Sequence, residues 1–199
     1  MTARHAPSAP DTAFTGREIV VGVSGGIAAF KAAVLVSHLV QHGAGVTAVL
    51  TGNARKFVGE ATFAALSGRP VATRSFEPRR YPLGAHIELA RDADAVVVAP
   101  ASADLLARAA LGLADDLLAT LLLCAECPVL LAPAMNAAMW AKPAVQRNVE
   151  RLVADGFVIV GPGTGWLSCR QTGAGRMAEP DAIAAALATV LAGRPRRTP

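Results

Sequence analysis

The sequence is short of cysteine, of charge and of long apolar runs. Its three cysteines, Cys124, Cys127 and Cys169, are too few and too scattered for a disulfide framework, which points to a reducing compartment. No charged n-region followed by an apolar h-region opens the chain, and no apolar run reaches spanning length. A soluble, cytoplasmic protein is therefore expected. Only 17% of the 199 residues are charged while 53% are hydrophobic, which excludes global disorder and leaves ample material for one core. The net charge of +4 comes largely from the two ends, Arg4 and "GRPRRTP". That distribution requires no nucleic-acid partner, and an anionic small molecule suits it equally well. No internal repeat is present.

What the chain does have is alternation of short apolar runs with helical patterns. Residues 1–16 are polar and proline-bearing and read as a loose arm. Residues 17–192 read as one domain, and 193–199 as a frayed basic tail. "EIVVGV" (18–23), "GVTAVL" (45–50), "DAVVVAP" (94–100), "PVLLAP" (128–133) and "FVIVGP" (157–162) are strand-sized. Helical patterns fill 25–43, 53–68, 102–126 with a possible break at Gly112, 143–156 and 180–193. In the first of them Ile27, Phe30 and Val34 follow one trail, with Leu35 and Leu39 beside it. Strands without polar alternation need cover on both faces. The expected fold class is thus α/β: a single-domain, Rossmann-like (flavodoxin-like) doubly wound parallel sheet. Ligands of such sheets lie beyond the carboxyl ends of the strands. Polar and glycine-rich stretches fall there: "SGG", "TGN", "PASAD", "PAMN" and the run "GPGTG…GRM".

Each stretch admits a chemical reading and a plainer one. In "VGVSGGIAAFK", Ser24, Gly25 and Gly26 bring bare N–H groups to a helix start, which suits a single phosphate; the turn also simply closes a βα unit. Thr51 and Ser102 offer hydroxyls to a ligand or N-caps to a helix. Asn136, three residues beyond Pro133, can hold a carboxylate through its amide or form an Asx-turn. His86 stands alone before a short periodic stretch, a placement more often structural than catalytic. "CAEC" (124–127) has CxxC spacing but no second ligand pair, and it straddles a helix end, so packing is expected in place of a metal or redox role. Cys169 differs from both, lying in a polar glycine run flanked by Arg170 and Arg176, where positive charge can adjust its ionisation.

Taken together, "SGGIAAFK", "HIELARDAD", "PASADLLARAALGLADD", "PAMNAAMW" and "SCRQTGAGRMAEP" resemble, in this order, the homo-oligomeric flavin-containing cysteine decarboxylases over about residues 18–190. The resemblance implies FMN as cofactor, bound between subunits of a trimer that is sometimes assembled further into a dodecamer. By motif position it implies flavin contacts at Ser24, Gly25, Gly26, Ile27, Thr51, Phe57, Ser102, Ala103, Asp104, Leu105, Ala134 and Met135. It implies a catalytic set of His86, Asn136 and Cys169, substrate contacts at Asn136, Met139 and Arg170, and no metal. The implied reaction is decarboxylation of 4′-phospho-N-pantothenoylcysteine to 4′-phosphopantetheine in coenzyme A biosynthesis. In it the thiol is oxidised to a thioaldehyde, CO₂ leaves to give an enethiolate, and reduction follows. A cysteine carboxylate has no neighbouring electron sink, so a cofactor must supply one. A stand-alone decarboxylase served by a separate phosphopantothenoylcysteine synthetase is expected. Two alternatives are a peptidyl-cysteine decarboxylase of peptide tailoring and a non-catalytic flavin-binding regulatory subunit. One departure stands out: the family's flap commonly reads Ala-Cys-Gly, where this chain has Ser168–Cys169–Arg170.

Overall fold

Three strands that carry almost no polar residue form the centre of the sheet. β1 (Glu18–Val23), β3 (Ala95–Ala101) and β4 (Val129–Pro133) are buried along nearly their whole length, as cover on both faces requires. β2 (Gly45–Leu50) and the short β5 (Val158–Ile159) lie at the edges. All five strands are parallel, in the order β2-β1-β3-β4-β5. This is the flavodoxin-like order, with its switch point between β1 and β3. The computed structural model describes residues 13–196, and over them the chain is one Rossmann-like α/β domain.

Alternation along the strands divides the core in two. Val21, Val23, Ala95, Val97 and Ala99 pack on one side with α1 (Ala29–Gln41), α8 (Pro180–Leu191) and Phe63 of α2 (Glu60–Ser67). Val20, Val96 and Val98 pack on the other with α3 (Ala85–Asp92), α4 (Ala103–Leu111), α5 (Leu117–Cys124) and Leu152 of α7 (Pro143–Ala154). Gly112, at φ 70, ends α4 and separates it from α5, as expected of the 102–126 pattern.

Three expectations are corrected, and the two apolar trails of α1 are told apart. In α1 the core takes Ala29, Ala32, Leu35, Val36 and Leu39, while Ile27, Phe30 and Val34 are 56%, 55% and 53% exposed. The helix has two apolar stripes, and a single chain covers only the one where small alanines permit close approach to the sheet. The 53–68 helix is interrupted: a 3₁₀ turn (Ala54–Lys56) precedes α2, and extended backbone at Gly59 parts them. The glycine run near the end is an ordered antiparallel hairpin, β6 (Gly163–Trp166) with β7 (Thr172–Arg176), and not a featureless flap. Finally, the described parts of the expected arm and tail are packed. Phe14 is fully buried and the Gly16 N–H donates to the Gly43 carbonyl. Buried Arg17 donates to Asp94 Oδ1 at 3.1 Å and to the carbonyls of Leu191, Arg194 and Pro195. Residues 1–12 and 197–199 lie outside the described residues.

Candidate active site

The loops that leave β1, β3 and β4 meet at the carboxyl edge of the sheet. Ser24 fastens two of them: its buried hydroxyl donates to the Pro100 carbonyl and accepts from the Ser102 N–H, each at 2.8 Å. This leaves the glycines to face outward. A side chain at Gly25 would bring its Cβ to 2.5 Å from that of Asn53, so the turn can pass that residue only without one. Beyond it the N–H groups of Gly25, Gly26, Ile27 and Ala28 meet no acceptor among the described residues. They stand at the positive end of the 13-residue α1, an arrangement suited to an anion.

In front of these groups opens a cleft of about 500 Å³, within the usual range for small-molecule sites of roughly 300–1,000 Å³. Its floor is the turn from Gly25 to Ala28 together with Ser102 and Ala103. Ala134, Met135 and Met139 form an apolar wall, and the β6–β7 hairpin, through Trp166, Leu167 and Cys169, forms the opposite one. Ser102 also caps α4, its Oγ accepting from the Leu105 N–H at 3.3 Å.

Asn136 is a helix cap whose amide also reaches the cleft. Its Oδ1 accepts from the Ala138 N–H at 2.8 Å and so N-caps the short α6 (Ala137–Trp140). Its Nδ2 donates to Cys169 Sγ at 3.2 Å. Two residues separated by 33 positions thus converge at the cleft, and the thiol is free and exposed. The contact depends on how closely the hairpin docks. The Met135 N–H donates to the Gly175 carbonyl at 2.9 Å, and Gly173 leaves its would-be Cβ only 2.8 Å from that of Ala137. Gly175, at φ 121, has no room for a side chain because a Cβ there would run into the Met135 carbonyl oxygen. Gly175→Ala is therefore expected to destabilise the fold by about 1–3 kcal/mol from backbone strain alone. It should also part Cys169 from Asn136. A lower urea midpoint together with a changed thiol-alkylation rate checks this; an unchanged midpoint refutes it.

The remaining candidates lie away from the cleft of the single chain. Thr51 Oγ1 accepts from the Ala54 N–H at 3.2 Å, starting the 3₁₀ turn. Phe57 is half-exposed on the surface, Asp104 pairs with Arg108 at 3.0 Å, and Leu105 is buried in the core. Arg170 lies on the hairpin turn at φ 63, the left-handed region where glycine is at ease. The turn thus keeps the backbone shape that the family's glycine favours. His86 begins α3 on the far side of the sheet, half-buried, and its buried Nδ1 has no hydrogen-bond partner among the described residues. The single chain brings Asn136 and Cys169 together but not His86. Cys127 is buried and Cys124 partly so, and among the described residues no cluster of three or more His, Cys, Asp or Glu is placed to hold a metal.

Among the cleft residues that escaped sequence reasoning are Lys31, Trp166 and Arg176, the last weighed only as a charge near Cys169. Lys31 lies four positions after Ile27 on the same helix face, and that spacing was the available signal. Nothing local marks Trp166 or Arg176, which arrive through hairpin pairing. Lys31 Nζ and Arg176 both reach Glu179 Oε1, each at 2.8 Å. The hydrogen bond from Lys31, more than any other influence, holds the Glu179 carboxyl below the usual glutamate range.

Fold and site together define a class: a flavodoxin-like α/β protein with a cleft at the carboxyl edge of its sheet, floored by free helix-start N–H groups. The chain belongs to the Flavoprotein family, whose model it matches over residues 7–192. It is 51% identical over 167 residues to the coenzyme A biosynthesis bifunctional protein CoaBC of Mycobacterium tuberculosis (strain H37Rv), a match covering 84% of this chain and 40% of that protein. It is 45% identical over 167 residues to CoaBC of Bacillus subtilis, covering 84% and 41%. The chain thus spans about two-fifths of the length of these relatives. Among solved structures, the FMN-dependent cysteine decarboxylase SpaF superposes with TM-score 0.75 at 35% identity, covering 88% of this chain and 95% of that one. A cysteine-to-serine mutant of PPC decarboxylase complexed with pantothenoylaminoethenethiol superposes with TM-score 0.76 at 31% identity, covering 86% and 96%.

Proposed function

We propose that this chain is a carboxy-lyase that decarboxylates 4′-phospho-N-pantothenoylcysteine to 4′-phosphopantetheine in coenzyme A biosynthesis, with FMN as cofactor. The observation that carries the proposal is the Asn136 amide donating to Cys169 Sγ at 3.2 Å in the cleft above the N-terminus of α1. The residues present fit a flavin: free N–H groups from Gly25 to Ala28 for its phosphate, and apolar Ile27, Ala134 and Met135 for a flat ring. When bound, the flavin supplies the two-electron sink that a cysteine carboxylate lacks. The protein's own part is orientation and proton supply. Asn136 offers a neutral donor to the carboxylate, which places it without stabilising the starting anion as strongly as a cation would. Cys169 holds a proton on Sγ beside the same position, and the Asn136 N–H supports the thiolate left after transfer. A related PPC decarboxylase mutated from cysteine to serine was captured with an aminoethenethiol, which supports this assignment.

A homo-oligomer, trimeric or built from trimers, completes the site. Two features support it: the uncovered apolar stripe of Ile27, Phe30 and Val34 beside the cleft, and a His86 that its own chain leaves away from Asn136. In that assembly His86 of a second copy positions the carboxylate, while Phe57 and Trp166 lose their exposure. The enzyme works in the cytoplasm, downstream of a phosphopantothenoylcysteine synthetase. A peptidyl-cysteine substrate is the second reading, favoured by the likeness to SpaF. Cleft-lining Lys31 and Arg176 favour the phosphorylated conjugate. A regulatory subunit without turnover has no need of the Asn136–Cys169 pair. The test is an absorbance spectrum of the purified protein, followed by incubation with phosphopantothenoylcysteine and with a peptide ending in cysteine. A flavin spectrum and CO₂ release from the first substrate are expected. A colourless protein that takes up no FMN sinks the proposal.

A further inference from the structure

Glu179 has no place in the reaction as proposed, yet it binds two cleft cations through one oxygen. Lys31 comes from α1, Arg176 from the end of β7, and Glu179 from the N-cap of α8. Lys31 and Arg176 line the cleft and Glu179 does not. Oε1 lies 2.8 Å from Lys31 Nζ and 2.8 Å from Arg176 Nη2, so the carboxylate stands outside the lining and holds two like charges side by side. Their mutual repulsion would otherwise part them. Lysine has three N–H donors and arginine five, so each keeps donors to spare. Arg176 is directed from a second side as well: it runs beside Gly165 on the partner strand, where a Cβ would lie only 2.9 Å from its Cδ. The Lys31 side chain is 12% exposed, which limits solvent screening of its charge.

We infer that Glu179 is a positioning residue that sets how tightly the cleft holds a phosphomonoester, by pinning Lys31 and Arg176 to its wall and cancelling one of their two charges. The inference rests on the decarboxylase reading for the identity of the natural ligand. Substrate and product of that reaction carry the same phosphate. Binding energy spent on it is uniform: it lowers KM and slows release without lowering the chemical barrier. A wall with two uncancelled charges would hold the product too long, and one shared carboxylate prevents that. The Lys31 hydrogen bond, first among several influences, holds its pKa below the usual glutamate range, so the charge persists well into the acid range.

The variant to make is Glu179→Gln, which keeps the size and one acceptor oxygen but removes the charge. In the FMN-loaded enzyme, KM for phosphopantothenoylcysteine and the inhibition constant of 4′-phosphopantetheine should fall by about fivefold, the effect of one unit charge a few Å away under aqueous screening. Unphosphorylated pantothenoylcysteine should change by less than about twofold, and the gain should fade as ionic strength rises. Calorimetric titration with methyl phosphate, which needs no turnover, should show the same tightening. Weaker binding of the phosphorylated ligands, equal changes with and without phosphate, or no methyl phosphate binding by either protein overturns the inference. Tightened methyl phosphate binding in a protein that turns over neither conjugate upholds it while removing the proposed reaction.

Discussion

Asn136→Asp is expected to leave the fold intact and remove activity. Aspartate caps a helix as well as asparagine does, so α6 keeps its bond to the Ala138 N–H and the thermal midpoint should hold. The other half of the side chain changes sign. Where Nδ2 now donates to Cys169 Sγ, the variant presents a carboxylate oxygen, which repels a substrate carboxylate. Two unit charges about 4 Å apart repel by roughly 4 kcal/mol at an effective dielectric of 20. That corresponds to a loss of about a thousandfold in kcat/KM. CO₂ release beside a thermal melt separates the two roles of this residue. If turnover survives with the melt unchanged, Asn136 is a cap and nothing more.

Cys169→Ser should stop the reaction after CO₂ has left. A thiol is a far stronger acid than an alcohol, so a serine hydroxyl at the same place cannot replace it as proton donor. The hairpin should be unaffected, because the residue is exposed and its neighbours Leu167 and Arg170 are held by a backbone bond. Mass spectrometry should therefore find a product two hydrogens short of the aminothiol, with CO₂ released but no saturated product accumulating. Full yield of 4′-phosphopantetheine from the serine variant would show that the proton comes from elsewhere. Since Cys169 acts late and Asn136 early, the two variants should differ in whether CO₂ appears at all, a contrast that loss of folding cannot imitate.

Much of the fold was legible because its signals are local. The unbroken apolar runs of β1, β3 and β4 require cover on both faces, and their alternation with helical periods leaves few arrangements other than a doubly wound sheet. Gly112 was readable as a break because a left-handed residue ends a helix whatever surrounds it. Which stripe of α1 faces the core was not legible, because periodicity reports that a face is apolar and not what covers it. Ile27, Phe30 and Val34 are as regular as Leu35 and Leu39, and only the packing of the sheet distinguishes them. The hairpin was misread because its glycines also suit a loose loop. Their need is steric and distant: Gly173 and Gly175 are bare because Ala137 and Met135 press on them from a segment nearly forty residues earlier.

By itself the sequence determined the sheet, the order of its elements and the residue types gathered at its carboxyl edge, since propensity and side-chain period act over a few residues. Tertiary structure alone decided which of those residues meet. It set Asn136 against Cys169, joined Lys31 to Arg176 through Glu179 and left His86 on another side of the domain. Contacts of that kind depend on how bare backbone docks across the fold, and no local pattern encodes it.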